Sequence, residues 1–474
     1  MRRRTALALL AVGLGVAGAA SALWVLDERG IAPRTLAPYI DKRSSGHNAL
    51  ISGAGDWMAG ALIRLDRGTA QPTVLPALSL GAQPQAVASA PGGATRPVAS
   101  VDALRAAMAS ASPGDVIELA PGVYQLRRKA LQARVAGTAE QPIVVRAALP
   151  GSAVLEVVAI VGVEVAAPWW RFENLTLRGA CGRHSDCEHA FHVVGGAHHF
   201  AALNNTLVDF NAHFKVNGLG GLYPDHGRID GNTLRNTAPR ATRKPVTPID
   251  IVAASDWTVR GNLIADFVKR GGDGVSYGAF AKGAALRTVF ERNVVLCEDR
   301  LRGEPGQRVG LSFGGGGSGA RYCRDGRCIT EHEDGILRDN LIASCSDVGI
   351  YLNSAARTRI DHNTLLDTAG IQVRYPTSSA DLAGNLVDGA IRSRDGGRLR
   401  GEDNLATPIV SLYAGMHPQR NVFVDPAGLD LRWRADAPRR EGAGTGTDLC
   451  GVKRSKTPAY GAFEDFEACL RRAE

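Results

Sequence analysis

The chain has 474 residues, 45% of them apolar and 6% aromatic, with 56 Gly and a formal net charge of +8. This much apolar content excludes a disordered chain, and abundant Gly with few aromatics favours many tight turns over one bulky core. The basic balance points to an anionic partner; no basic run interleaved with aromatics occurs, so no nucleic-acid partner is expected and a membrane surface or an acidic polysaccharide is left.

Arg2, Arg3 and Arg4 precede 22 uncharged residues, Thr5 to Leu26. This is the pattern of a signal peptide or an uncleaved signal anchor, residues 1–26. Ala20-Ser21-Ala22 suits cleavage, whereas Leu23-Trp24-Val25-Leu26 carries the run on to a bilayer-spanning length. Either way the body is expected to be exported: periplasmic, secreted, or tethered to the membrane by this segment. Residues 27–98 read as an N-terminal extension ending in a Pro/Ala/Gly linker.

Val101-Asp-Ala-Leu-Arg-Ala-Ala-Met forms an amphipathic helix that feeds the strand in Ser112-Pro-Gly-Asp-Val-Ile-Glu-Leu-Ala-Pro-Gly-Val-Tyr124. Gly137-Thr-Ala-Glu-Gln-Pro-Ile-Val-Val-Arg146 supplies another. A solenoid needs such a helix to cover the open end of its core.

From Asn174 to Asn404 one short pattern returns nine times: Asn, two or three aliphatic residues, then a turn. The asparagines are 174, 205, 232, 262, 293, 340, 363, 385 and 404, separated by 31, 27, 30, 31, 47, 23, 22 and 19 residues. A period of that size built from Val, Ile and Leu without helical spacing predicts an all-β chain, a right-handed parallel β-helix over 99–430 with a short N-terminal capping helix. The Asn residues should stack at one corner, in the left-handed region, as a hydrogen-bonded ladder.

Eight cysteines fit an oxidising compartment. Cys181 with Cys187, and Cys450 with Cys469, are read as bridges, the latter stapling a C-terminal cap over 431–474. Cys323 and Cys328 bracket a short loop, and coil stacking could join Cys297 to Cys345.

Alternation in the strand ahead of each Asn turn sends Phe191, Phe214, Val216, Ile249, Ile251, Leu311, Phe313, Ile350, Leu352, Ile371 and Val373 inward. The opposite parity carries His192, His213, Lys215, Asn217, Asp250, Tyr351, Asn353, Gln372, Arg374, Arg392 and Arg394. Such a strip suits an extended anionic chain: Lys and Arg pair with carboxylates, and Tyr stacks on sugar rings. Gly314 to Gly317 would leave a depression beside it. Asp250, Asp273, His192, His213 and the run Glu331-His332-Glu333-Asp334 are acid–base or metal-ligand candidates, and Pro224-Asp225-His226 is read as a turn.

The helix and the two strand segments at 101–146 resemble the opening of chondroitinase-B-like and alginate-lyase-type polysaccharide lyases, and the resemblance spans roughly 99–405. It implies a parallel β-helix enzyme that cleaves a uronate polymer by β-elimination, with a Lys base, an Arg on the next coil and calcium as cofactor. Lys282 matches the base. Ser312-Phe-Gly-Gly-Gly stands where the Arg would be, with Arg308 and Arg374 as nearby substitutes, and Asp273-Gly-Val-Ser-Tyr277 does not match the calcium ligands. The catalytic set is therefore Lys282, Asp250 and Asp273, in a monomer that binds an acidic polysaccharide. A hydrolase or epimerase using Asp250 and Asp273, and a non-catalytic glycan-binding solenoid, are the alternatives.

Overall fold

The computed structural model describes residues 21–68, 76–87, 93–315, 318–401, 403–442, 444 and 446–470. Three long sheets run the length of the body. One has twelve strands, from Thr95–Val98 to Arg398–Arg400; one has ten, from Leu131–Ala133 to Ala390–Arg394; one has eleven, from Gly122–Arg127 to Leu405–Ala406. Neighbouring strands in each pair in parallel, one coil on the next. This is the predicted parallel β-helix. All eleven residues expected inside are at most 1% exposed, so the inward parity stacks apolar side chains coil on coil. The helix Val101–Ala109 is capped by Ser100, whose Oγ accepts from the Ala103 N–H at 3.2 Å, and it buries Leu104, Ala107 and Met108.

The asparagine ladder runs from Asn205 to Asn404. Asn232 Oδ1 accepts both the backbone N–H and the Nδ2–H of Asn205, and the same double contact recurs at every step to Asn404, at 2.7–3.1 Å. The second Nδ2 hydrogen reaches back to a carbonyl of the preceding coil, as in Asn293 to Val259 O at 3.0 Å. Two details depart from expectation. The left-handed residue is the one before the Asn at seven of the eight ladder positions: Asn204, Gly231, Gly261, Arg292, Asp339, His362 and Gly384 have φ of 52–67°. Turning the chain there aims the following Asn amide along the axis. Asn174 is also off the ladder, because Thr176 pairs with Thr206 and leaves Leu175 at that position; Leu175 N–H donates to Asn205 Oδ1 at 2.9 Å.

Asn174 and Asn204 bond to each other at 2.9 Å and hold part of the expected linker. Val87 N–H donates to Asn174 Oδ1 at 3.0 Å and Gln83 N–H to Asn204 Oδ1 at 2.6 Å. Within 76–87, therefore, the linker is pinned to the turn edge. Leu78 and Leu80 then join Phe423, Phe463 and Phe466 in an apolar layer on the outer face of the eleven-stranded sheet, over Val294, Leu296, Leu341, Leu366 and Leu386. The segment 431–470, expected as a terminal cap, thus lies along the flank, with Ala462 N–H donating to Thr364 Oγ1 at 2.8 Å.

Helices Pro33–Ser44 and Ala49–Arg67 form a hairpin docked on the solenoid by buried charges. Arg34 pairs with Asp66; Arg67 reaches Glu298 at 2.5 Å and Asp367 at 3.0 Å. All eight cysteines are paired: 181–187, 297–345, 323–328 and 450–469. Among the described residues no helix is long and apolar enough to cross a membrane; most of the expected signal segment, residues 1–20, lies outside them.

Candidate active site

The outer face of the ten-stranded sheet carries the strip in register. His192, Lys215, Asp250, Phe280, Ser312, Tyr351, Gln372 and Arg392 occupy one row. The register decides the facing of Phe280 and Lys282, which alternation in the sequence leaves open. Ile249 pairs with Ala279 and Ile251 with Ala281, so the two alanines fill the core and both Phe280 and Lys282 point out without a bulge.

A cavity of about 770 Å³ opens over this stretch, lined by Lys215, Asn217, Asp250, Asp273, Phe280 and Lys282. Turns between the sheets build its sides. One brings Tyr223, another Arg243 and a third Lys269, the strand Val275–Lys282 contributes Tyr277, and the disulfide-closed insertion adds Arg321, Tyr322 and Cys323. A short parallel pairing of Arg240–Ala241 with Lys269–Arg270 orders two of these turns. Gly315 borders the cavity beside Lys282: a Cβ there would lie 3.5 Å from Lys282 Cδ, so the expected depression is present at this residue.

Lys282 has no carboxylate within 4 Å among the described residues; its ammonium sits 4.4 Å from the centre of the Phe280 ring. Burial pushes its pKa below the usual lysine value. Asp250 and Glu331 act in the opposite sense, and the positive charge of Lys215 adds to the depression. Lys215 Nζ is 2.9 Å from Asp250 Oδ2, while Asp250 Oδ1 has no hydrogen-bond partner among the described residues. Lys269 is buried and holds Asp273, 67% exposed, at 2.5 Å. His192 Nε2 lies 2.9 Å from Asn217 Oδ1, which places His192 at the margin of the cavity rather than in it. Tyr277 is pushed up to about 12 by burial, with Tyr351 and Asp347 adding to the rise.

Other predicted residues lie elsewhere. His213 is fully buried, its Nε2 3.1 Å from Arg235 O, and burial lowers its pKa to about 4; it is not on the binding face. Tyr351, Asn353, Gln372 and Arg374 sit on later coils outside the cavity. Asn353 Nδ2 and Arg374 Nη1 both approach the Tyr351 hydroxyl, at 3.3 and 3.4 Å, and Arg374 is paired with Asp395 at 2.6 Å. Arg308, the proposed substitute cation, is buried against Glu298 at 2.9 Å and does not reach the cleft. The Glu331–Asp334 run diverges: Glu331 accepts from Gly283 N–H, His332 stacks on Phe313 at 4.1 Å, and Glu333 and Asp334 pair with Arg357. Asp225 is a structural clamp, held by both Nη atoms of Arg324 at 2.8 and 2.9 Å.

Tyr223, Tyr277, Tyr322, Arg243, Lys269 and Arg321 escaped the sequence reading. All but Tyr277 lie outside the ten-stranded sheet, where the ladder register does not reach. A weak signal existed in the basic pairs Arg243-Lys244 and Lys269-Arg270 beside glycines and proline.

Among the described residues the only group of three His, Cys, Asp or Glu side chains whose ligand atoms converge is Cys323, Cys328 and Glu331, and its sulfurs are spent in a disulfide. Oxygen-rich coordination of the kind calcium needs is not assembled by these residues.

No family model matches the chain, and no curated protein does. Solved structures do match in shape. The pectate lyase Pel9A superposes with a TM-score of 0.50 at 16% identity, over 76% of this chain and 90% of its own. This chain shares its fold. An alginate lyase from Paenibacillus sp. str. FPU-7 (TM-score 0.38, 17% identity, 66% of this chain and 95% of that one) is also similar. So is the A-module of the mannuronan C-5 epimerase AlgE4 from Azotobacter vinelandii (TM-score 0.35, 13% identity, 65% and 94%).

Proposed function

We propose that the chain is an exported lyase that cleaves an acidic, uronate-containing polysaccharide by β-elimination in this cleft. The observation that carries the reading is Lys282: a half-buried amine facing the cavity, with a depressed pKa and no carboxylate partner among the described residues. Its neutral form takes the proton next to the uronate carboxylate. The C–H electron pair becomes the new carbon–carbon double bond, the bond to the glycosidic oxygen breaks, and that oxygen leaves with a proton. Lys215, Lys269, Arg243 and Arg321 supply positive charge for the carboxylate as negative charge develops on it. Tyr223 and Tyr277 are phenol donors in the same cavity. No step is routed through calcium, since these residues do not form its cage. The four disulfides support export.

Asp250 and Asp273 both face the cavity, but each is already engaged by a lysine, which disfavours an acid–base pair of the hydrolase type. A panel of alginate, pectate, chondroitin and heparan tests the proposal. A rise in ultraviolet absorbance with new reducing ends supports it. Reducing ends alone would select hydrolysis, altered sugar configuration without cleavage would select epimerisation, and saturable binding without any change in the polymer would select a glycan-binding solenoid.

A further inference from the structure

The helical hairpin presents its faces in an unusual sense. A helix docked on a soluble protein ordinarily buries its apolar stripe and exposes its charges. Helix Ala49–Arg67 does the reverse: its buried residues are Gly55 and Asp66, and Asp66 meets Arg34 of the other helix in the ion network beneath. Leu50, Ile51, Trp57, Met58 and Leu65 are exposed, Leu50 at 86% and Trp57 at 69%. At about 100° per residue these five share one face roughly 120° wide. Asp56 falls on the far side of the helix, whereas Arg64 borders the stripe and Lys42 and Arg43 are exposed beside the hairpin turn.

Three features of the chain say what covers this face. Trp and aliphatic residues rimmed by Lys and Arg are the composition of a helix that lies in a bilayer interface. The chain enters the hairpin from the apolar run Thr5–Leu26, and the described helical end of that run exposes Trp24 at 65% and Val25 at 46%. Asp27, just after it, is paired with Arg392 at 3.0 Å, so both apolar surfaces are fixed to one rigid solenoid. We infer that the stripe Leu50–Ile51–Trp57–Met58–Leu65 is a docking surface for an anionic lipid bilayer, with Lys42, Arg43 and Arg64 at the headgroups. The inference is independent of any activity in the cleft.

The test uses the full chain on phosphatidylglycerol–phosphatidylethanolamine vesicles whose acyl chains carry bromine, a short-range quencher of Trp. Wild-type fluorescence should fall by a fraction that W57F lacks, whether or not residues 1–26 also insert. The L50Q/M58Q variant, altered only at exposed positions, should lose more than about half of that Trp57-specific quenching. Equal quenching in wild type and W57F overturns the proposal. Shielding of Trp57 from aqueous acrylamide before lipid is added also overturns it, assigning the stripe to residues 1–20, or to a second copy where shielding grows with protein concentration.

Discussion

Lys215 and Asp250 meet across adjacent coils, directly opposite in register, with Nζ 2.9 Å from Oδ2. One strand further on Lys282 faces the same cavity, close enough to feel both charges in opposite senses. The pair therefore tunes the lysine that the proposed chemistry needs neutral.

The first consequence is a pH profile. Lys282 works as a base only when deprotonated, and its folded-state pKa lies below the ordinary 10.5. Turnover should rise with pH through that depressed value. Lys282→Ala should lower kcat by about a hundredfold or more, as loss of a general base does. A pH–rate series that is flat across the alkaline range would contradict the assignment.

Asp250→Asn and Lys215→Met should move that profile in opposite directions. Asp250 raises the Lys282 pKa, so Asn shifts the rising limb to lower pH; Lys215 lowers it, so Met shifts the limb to higher pH. Lys215→Met also strands a buried carboxylate and should cost about 1–3 kcal/mol of stability, measurable by denaturant titration. Shifts in the same direction would show that the two residues act through structure alone.

The ladder should be most sensitive in its middle. The Asn293 side chain gives and receives four hydrogen bonds within the buried stack, and Asn293→Ala should destabilise by about 2–4 kcal/mol. Asn404, half-buried at the end, has no further Asn beyond it, so Asn404→Ala should cost less. Thermal midpoints of the two variants, taken side by side, check the order.

Acid should weaken the fold through its buried histidines. His332 and His213 are buried and neutral, with pKa values lowered by burial to about 3 and about 4. A folded-state value below the unfolded 6.5 means that the unfolded chain takes up protons first. No penalty exists above about pH 6.5, and stability falls as the pH drops from there towards 4. His332→Phe keeps the stack on Phe313 and should recover part of the loss, roughly 3 kcal/mol at about pH 4. Identical acid midpoints for wild type and this variant would remove His332 from the account.

The solenoid was legible because its period is one-dimensional: an Asn every coil fixes which strand precedes it and which parity faces in. Register outranks size here: Phe280 points outward while the small Ala281 lies in the core. Parity alone also said nothing of depth, so His213 counted as exposed although turn residues bury it. The sides of the cleft and the flanking C-terminal layer were not legible, since contacts such as Ala462 to Thr364 join residues 98 apart by tertiary packing alone. Lys282 was found through the family resemblance; its outward direction and its surroundings came only from the register of Val252 with Lys282.

The most direct measurement is ultraviolet absorbance on a uronate polysaccharide panel with wild type and Lys282→Ala side by side. The wild type should form unsaturated ends steadily from at least one polymer, an activity lost in the variant while the polymer still binds. No absorbance gain on any polymer, or equal gain with Lys282→Ala, would contradict it.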